Sequence, residues 1–126
     1  MAVTVDKILD GERNAVFRLT GDGDAEAAVI KVDFSTLFSS KVFPLRDLRI
    51  MKIQGGVSGV VINLLWDATT DVLAETIGPD QDVDRDYYNI GGIPNNAGAG
   101  KTGDILLTTA GGVGSAYSLL LTLKKV

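Results

Sequence analysis

The chain has 126 residues, 45% hydrophobic and 22% charged, with a formal net charge of −4 and a pI near 4.6. This length and balance predict one soluble globular domain with a single core, and they exclude a disordered or fibrous chain. Neither cysteine nor histidine occurs, which removes disulfides, thiolate metal sites, the commonest general base and the usual partner of a nucleophilic serine.

The first residues, MAVTVDKILDGER, carry two acids before Glu12 and no apolar run of signal-peptide length. No later stretch reaches the length of a membrane-spanning helix. The 12 Lys and Arg are scattered along the chain, so neither a membrane nor a nucleic-acid backbone is an expected partner.

Glycine clusters then punctuate the chain about every ten residues: Gly11, Gly21-Asp22-Gly23-Asp24, Gly55-Gly56, Gly78-Pro79, Gly91-Gly92, residues 98–103 and Gly111-Gly112. Short apolar runs at that spacing predict the strands of a sandwich or barrel. Ala15, Phe17 and Leu19 alternate with Arg18 and Thr20, the period of two of a half-buried strand. Ala28, Ile30, Val32 and Phe34 repeat the pattern after the Gly-Asp-Gly-Asp turn, and the two runs predict a hairpin. The window from Phe34 to Ile53 is long enough for a helix, but Ser35, Ser39, Ser40 and Pro44 interrupt it, so a loop or one short turn is expected.

From Gly59 to Asp67, Val60, Ile62, Leu64 and Trp66 share one face while Val61 and Leu65 occupy the other. A strand apolar on both faces is central in its fold or covered by another subunit. At the end of the chain Tyr117, Leu119, Leu121 and Leu123 alternate with Ser118, Thr122 and Lys124, a last half-buried strand. The expected architecture is all-β: one jelly-roll-like β-sandwich of about eight antiparallel strands covering residues 1–126.

Residues Gly98-Ala99-Gly100-Lys101-Thr102 resemble the end of a phosphate-binding loop. The spacing fails, because the first glycine of that motif falls on Asn95 and the loop leads into the strand-like Ile105–Thr109 instead of a helix. Asp80, Asp82, Asp84 and Asp86 alternate, which aligns four carboxylates along one edge of an extended segment. A calcium loop starting at Asp80 needs glycine at 85 and glutamate at 91, where the chain has Arg85 and Gly91. A solvated acidic segment, or one that meets basic residues of a neighbour, is favoured over a nonstandard calcium site. Trp66 and Tyr117 continue apolar strand faces and are expected in the core, whereas Tyr87 and Tyr88 cannot share one strand face, which places one of them at the surface or an interface. Acid pairs such as Asp10 with Glu12, or Asp67 with Asp71, carry no spacing that identifies a glycosidase.

The stretch Leu64-Leu65-Trp66-Asp67-Ala68-Thr69-Thr70-Asp71, followed by Asn95-Asn96-Ala97-Gly98-Ala99-Gly100-Lys101-Thr102-Gly103-Asp104-Ile105, resembles a family of small virion proteins of tailed bacteriophages. The similarity covers most of the chain and includes Asp10-Gly11 and Arg13-Asn14. It implies a head decoration, or cement, protein assembled in the host bacterial cytoplasm and bound to the major capsid protein on the capsid surface, as a homotrimer at local threefold positions. A tail or head-tail connector component is the alternative within the particle. From other classes, a carbohydrate-binding module rests on the aromatic residues and an enzyme only on unassigned carboxylates. No catalytic residue, cofactor or metal comes with the resemblance, and the expected protein is not an enzyme. Asp80, Asp82, Asp84 and Asp86, with Tyr87 and Tyr88, are the expected partner-facing residues by charge and exposure. Asn95, Asn96 and Lys101 join them because glycine in residues 95–103 permits close backbone approach.

Overall fold

A computed structural model describes residues 4–22, 29–42, 44–78 and 80–126. The described residues form eight strands: β1 (Thr4–Asp10), β2 (Asn14–Asp22), β3 (Val29–Val32), β4 (Leu48–Trp66), β5 (Val72–Ile77), β6 (Gln81–Asp86), β7 (Ile93–Pro94) and β8 (Ile105–Lys125). All pairings are antiparallel and belong to one sheet, which is nearly barrel-shaped, so the all-β expectation holds.

Two long strands organise it. β4 and β8 pair from Leu48 opposite Lys125 to Trp66 opposite Ile105. β5, β6 and β7 follow one another along the other edge of β4, while β2 and β3 follow one another along the other edge of β8, with β1 outside β2. A straight strand of the length of β4 would span about 60 Å, whereas a compact domain of this size is roughly 35 Å across. The long strands must therefore bend. The pairing of β4 with β8 steps from Ser58–Ala116 to Val60–Gly111, which marks the crease.

Folding at this crease turns one face of both halves inward. From β4, Leu48, Ile50, Ile53 and Val57 on one side of the crease meet the same core as Val60, Ile62, Leu64 and Trp66 on the other. Ala15, Phe17 and Leu19 of β2, Val32 of β3, Ile77 of β5, Val83 of β6 and Ile105, Leu107, Leu119, Leu121 and Leu123 of β8 complete it. The two layers are thus halves of one folded sheet, joined by strands that pass from one layer to the other.

This arrangement corrects three readings of the glycine punctuation. Gly55-Gly56 and Gly111-Gly112 lie inside β4 and β8, near the crease, rather than between strands. Gly55 has φ +142°, and a Cβ there would lie 1.9 Å from the Ser118 carbonyl oxygen, so the residue must be glycine for β4 to approach β8. The window from Phe34 to Ile53 contains one short 3-10 turn, Phe34–Thr36, and irregular backbone in the other described residues up to Asp47, but Leu48–Ile53 already belongs to β4. The expected hairpin between the runs around Phe17 and Ile30 does not form: both edges of β2 are occupied, by β1 and β8, and β3 pairs with β8 at Ile105–Leu107. Alternation identifies a strand without naming its partner. Gly23, Asp24 and Ala28 of that prediction lie outside the described residues, and Phe34 stands in the 3-10 turn.

Candidate functional site

Folding the sheet brings the two ends of β4 toward each other, and the segment 95–104 straps them together. Asp47, just before β4, accepts hydrogen bonds from Asn95 Nδ2 at 3.0 Å and from Lys101 Nζ at 3.1 Å. The next residue, Thr102, donates through Oγ1 to Asp67, just after β4, at 2.8 Å, and its amide donates to the Asp67 carbonyl. Thr69 N donates to Ala99 O and Asp67 N to Asp104 O, each at 3.1 Å. The two stretches that carry the phage-protein resemblance are therefore one physical unit.

A second strap, whose described residues are 33–42 and 44–47, starts from the same corner. The Phe34 amide donates to Asp104 Oδ1 at 2.8 Å, and the Phe34 ring lies over Gly103. Burial pushes the Asp104 carboxyl above its ordinary value against the Phe34 hydrogen bond, with the nearby Asp33 and Asp67 carboxylates adding to the rise. Gly103 has φ +86°, and a Cβ would lie 2.7 Å from the ring. Gly103→Ala should cost about 1–3 kcal/mol of stability through backbone strain and this clash. An unchanged urea midpoint would show that the two straps separate freely.

The second strap ends on Lys125, whose side chain is 3% exposed. Its Nζ is ion-paired with Asp10 and donates to Gly11 O at 2.6 Å and Phe38 O at 2.8 Å, with the Phe38 ring 5.6 Å away. Asp10 also accepts from the Phe38 amide at 3.0 Å and pairs with Lys7 at 3.2 Å. Burial alone would raise the Asp10 carboxyl, but the hydrogen bonds from Lys125, Phe38 and Lys7 and the Lys125 charge outweigh it and hold the group below its ordinary value.

The acidic run lies apart from these straps. Asp82, Asp84 and Asp86 are exposed on β6, with Val83 buried between the first two. Neighbouring carboxylates stand about 7 Å apart along the strand, whereas oxygens that share a calcium ion lie within ~5 Å of each other. Asp80 precedes the strand with φ +55° and accepts from the Gly59 amide at 2.9 Å; Asp86 accepts from the Tyr88 amide at 2.8 Å. Among the described residues no group of three acids converges as a metal site would require.

The two tyrosines divide. Tyr87 is half-buried and its hydroxyl donates to Glu75, which also pairs with Arg85 at 3.1 Å; burial and then the Glu75 carboxylate push its phenol up to about 12. Tyr88 is 54% exposed, as is Asn96 in kind, whereas Trp66 and Tyr117 are in the core. Asn95 and Lys101 face Asp47 within the chain. The Gly-Lys-Thr segment thus has its lysine ion-paired and runs into β8, not a helix. Calorimetry should detect no ATP binding; millimolar or tighter binding that disappears in Lys101→Ala would overturn this.

Asp47 and Lys125 carried no sequence signal, and Asp104 entered only through the resemblance, since each is a lone charge whose partners are distant in the chain. The same is true of a groove of about 260 Å³ beside the end of β8, lined by Arg13, Arg46 and Lys124 together with Val42, Pro44, Leu45 and Val126. No family model, curated protein or solved structure matches the chain.

Proposed function

We propose that the protein is a virion structural protein of a tailed bacteriophage, and within that class a capsid decoration protein that binds the major capsid shell from outside as a trimer. The observation that supports this best is the double strap. The residues that resemble the phage family lock the open side of a folded sheet, and the groups left facing solvent include an acidic edge and a basic, partly apolar groove. A clamp repeated over a shell needs a domain that keeps its shape under load, and many modest contacts then add through avidity.

Cosedimentation with empty capsids tests the binding. Particles assembled without the protein should form intact heads that leak DNA sooner on heating or at low salt. Normal heads without tails, or tails that cannot adsorb, would move the protein to the connector or tail. Retention on glycan arrays without capsid binding would favour a carbohydrate-binding module.

A further inference from the structure

The basic groove and the acidic edge are complementary, and they lie on different sides of one sheet. The groove is lined by the exposed cations Arg46 and Lys124, with Arg13 and Glu12, and by the apolar side chains of Val42, Pro44, Leu45 and Val126. Val42 is 75% exposed, which is unusual for a valine with so much apolar surface beside it. On the other side, β6 presents Asp82, Asp84 and Asp86, and the 3-10 turn after it presents Tyr88 and Ile90. The last of these is 69% exposed. The groove therefore offers cations among apolar side chains, and the β6 segment offers carboxylates followed by Tyr88 and Ile90.

We infer that the groove binds the β6–Ile90 segment of a second copy of this chain, with Asp82 and Asp84 against Arg46 and Lys124 and with Ile90 against the apolar lining residues. Within one chain the two surfaces are separated by β4: the groove sits at the end of β8, whereas β6 pairs with the opposite edge of β4. A chain cannot fill its own groove, so the contact is between unlike surfaces of two copies, the kind of interface that closes into rings. The segment is ordered in advance. Asp86 fixes the Tyr88 amide, and Gly91, in the left-handed region at φ +77°, has its carbonyl held by Arg49, which lowers the entropic cost of docking. Apolar contact supplies affinity, and the charges set register and exclude other pairings.

This deepens the decoration reading by naming the self-contact of the proposed trimer, and it is tested on free protein so that its failure leaves the capsid-binding result standing. Sedimentation equilibrium of the full chain at low salt should show association that weakens as salt rises. Arg46→Glu with Lys124→Glu, and separately Asp82→Lys with Asp84→Lys, should each weaken it about tenfold or more. An equimolar mixture of the two double variants should recover association that neither shows alone, because the reversed groove then meets the reversed edge. Ile90→Ser should weaken association without changing its salt dependence. All these positions are exposed, and unchanged thermal melting confirms folding. A wild-type chain that stays monomeric at ~0.2 mM would overturn the inference. So would association untouched by both reversals, or a mixture that stays monomeric.

Discussion

Trp66→Ala should lower the free energy of unfolding by about 3–5 kcal/mol, a large fraction of the roughly 5–15 kcal/mol that holds a domain together. Trp66 is fully buried at the end of the inward row of β4, paired with Ile105 of β8 and Val72 of β5. The next residue, Asp67, takes three of the strap hydrogen bonds, so a cavity here also loosens the closure of the sheet. Among the described residues the indole Nε1 makes no hydrogen bond. Trp66→Phe, which keeps most of the apolar volume and deletes that donor, should therefore cost much less, on the order of 1–2 kcal/mol. Urea titration followed by circular dichroism reads both effects, since this is the sole tryptophan and its fluorescence is lost with it. A Trp66→Ala protein with the wild-type midpoint would remove the residue from the core.

Asp10→Ala should cost about 3 kcal/mol, because it leaves the buried Lys125 ammonium without its counter-charge; removing one member of a buried pair typically costs 3–5 kcal/mol, and the Gly11 and Phe38 carbonyls keep the loss at the low end of that range. The double variant Asp10→Ala with Lys125→Met should recover part of the loss by replacing the charge with an apolar chain of similar length. The same pair predicts acid sensitivity. The Asp10 carboxyl is lowered in the folded protein, so its contribution to stability is complete above the unfolded value of about 4 and is lost as pH falls through the lower folded value. Thermal melting between pH 7 and pH 2 should show a wild-type loss below about pH 4 that is smaller in Asp10→Ala. Identical acid profiles for the two proteins would show that the pair does not couple folding to pH.

The acidic edge was legible before the structure because it is local. Asp82, Asp84 and Asp86 alternate in sequence, and an extended backbone puts alternate side chains on one face whatever the partner strand is. Trp66 was legible for the same reason, as the end of an alternating apolar run. The tyrosine pair was half legible: adjacent residues on a strand must diverge, but only the position of Glu75 on β5 decides that Tyr87 turns inward and Tyr88 outward.

The straps and the groove were not legible, because each joins residues far apart in the chain. Lys101 meets Asp47 across 54 positions and Lys125 meets Asp10 across 115, and no local pattern marks a lone charge for such a partner. The glycines misled for a related reason. A glycine pair between two apolar runs has the composition of a turn, yet inside β4 and β8 it lets long strands cross the crease or approach each other closely. Composition and two-residue alternation by themselves determined the all-β class, the exposed acids and the buried face of the runs around Phe17, Ile62 and Leu121, since these depend on backbone geometry within a few residues. The run around Ile30 failed, because a register shift between Ile30 and Val32 leaves Ile30 exposed. Which strand lies beside which, where the sheet folds, and which charges meet at its open side were decided only by the tertiary structure, because burying both inner faces in one core is a property of the whole chain.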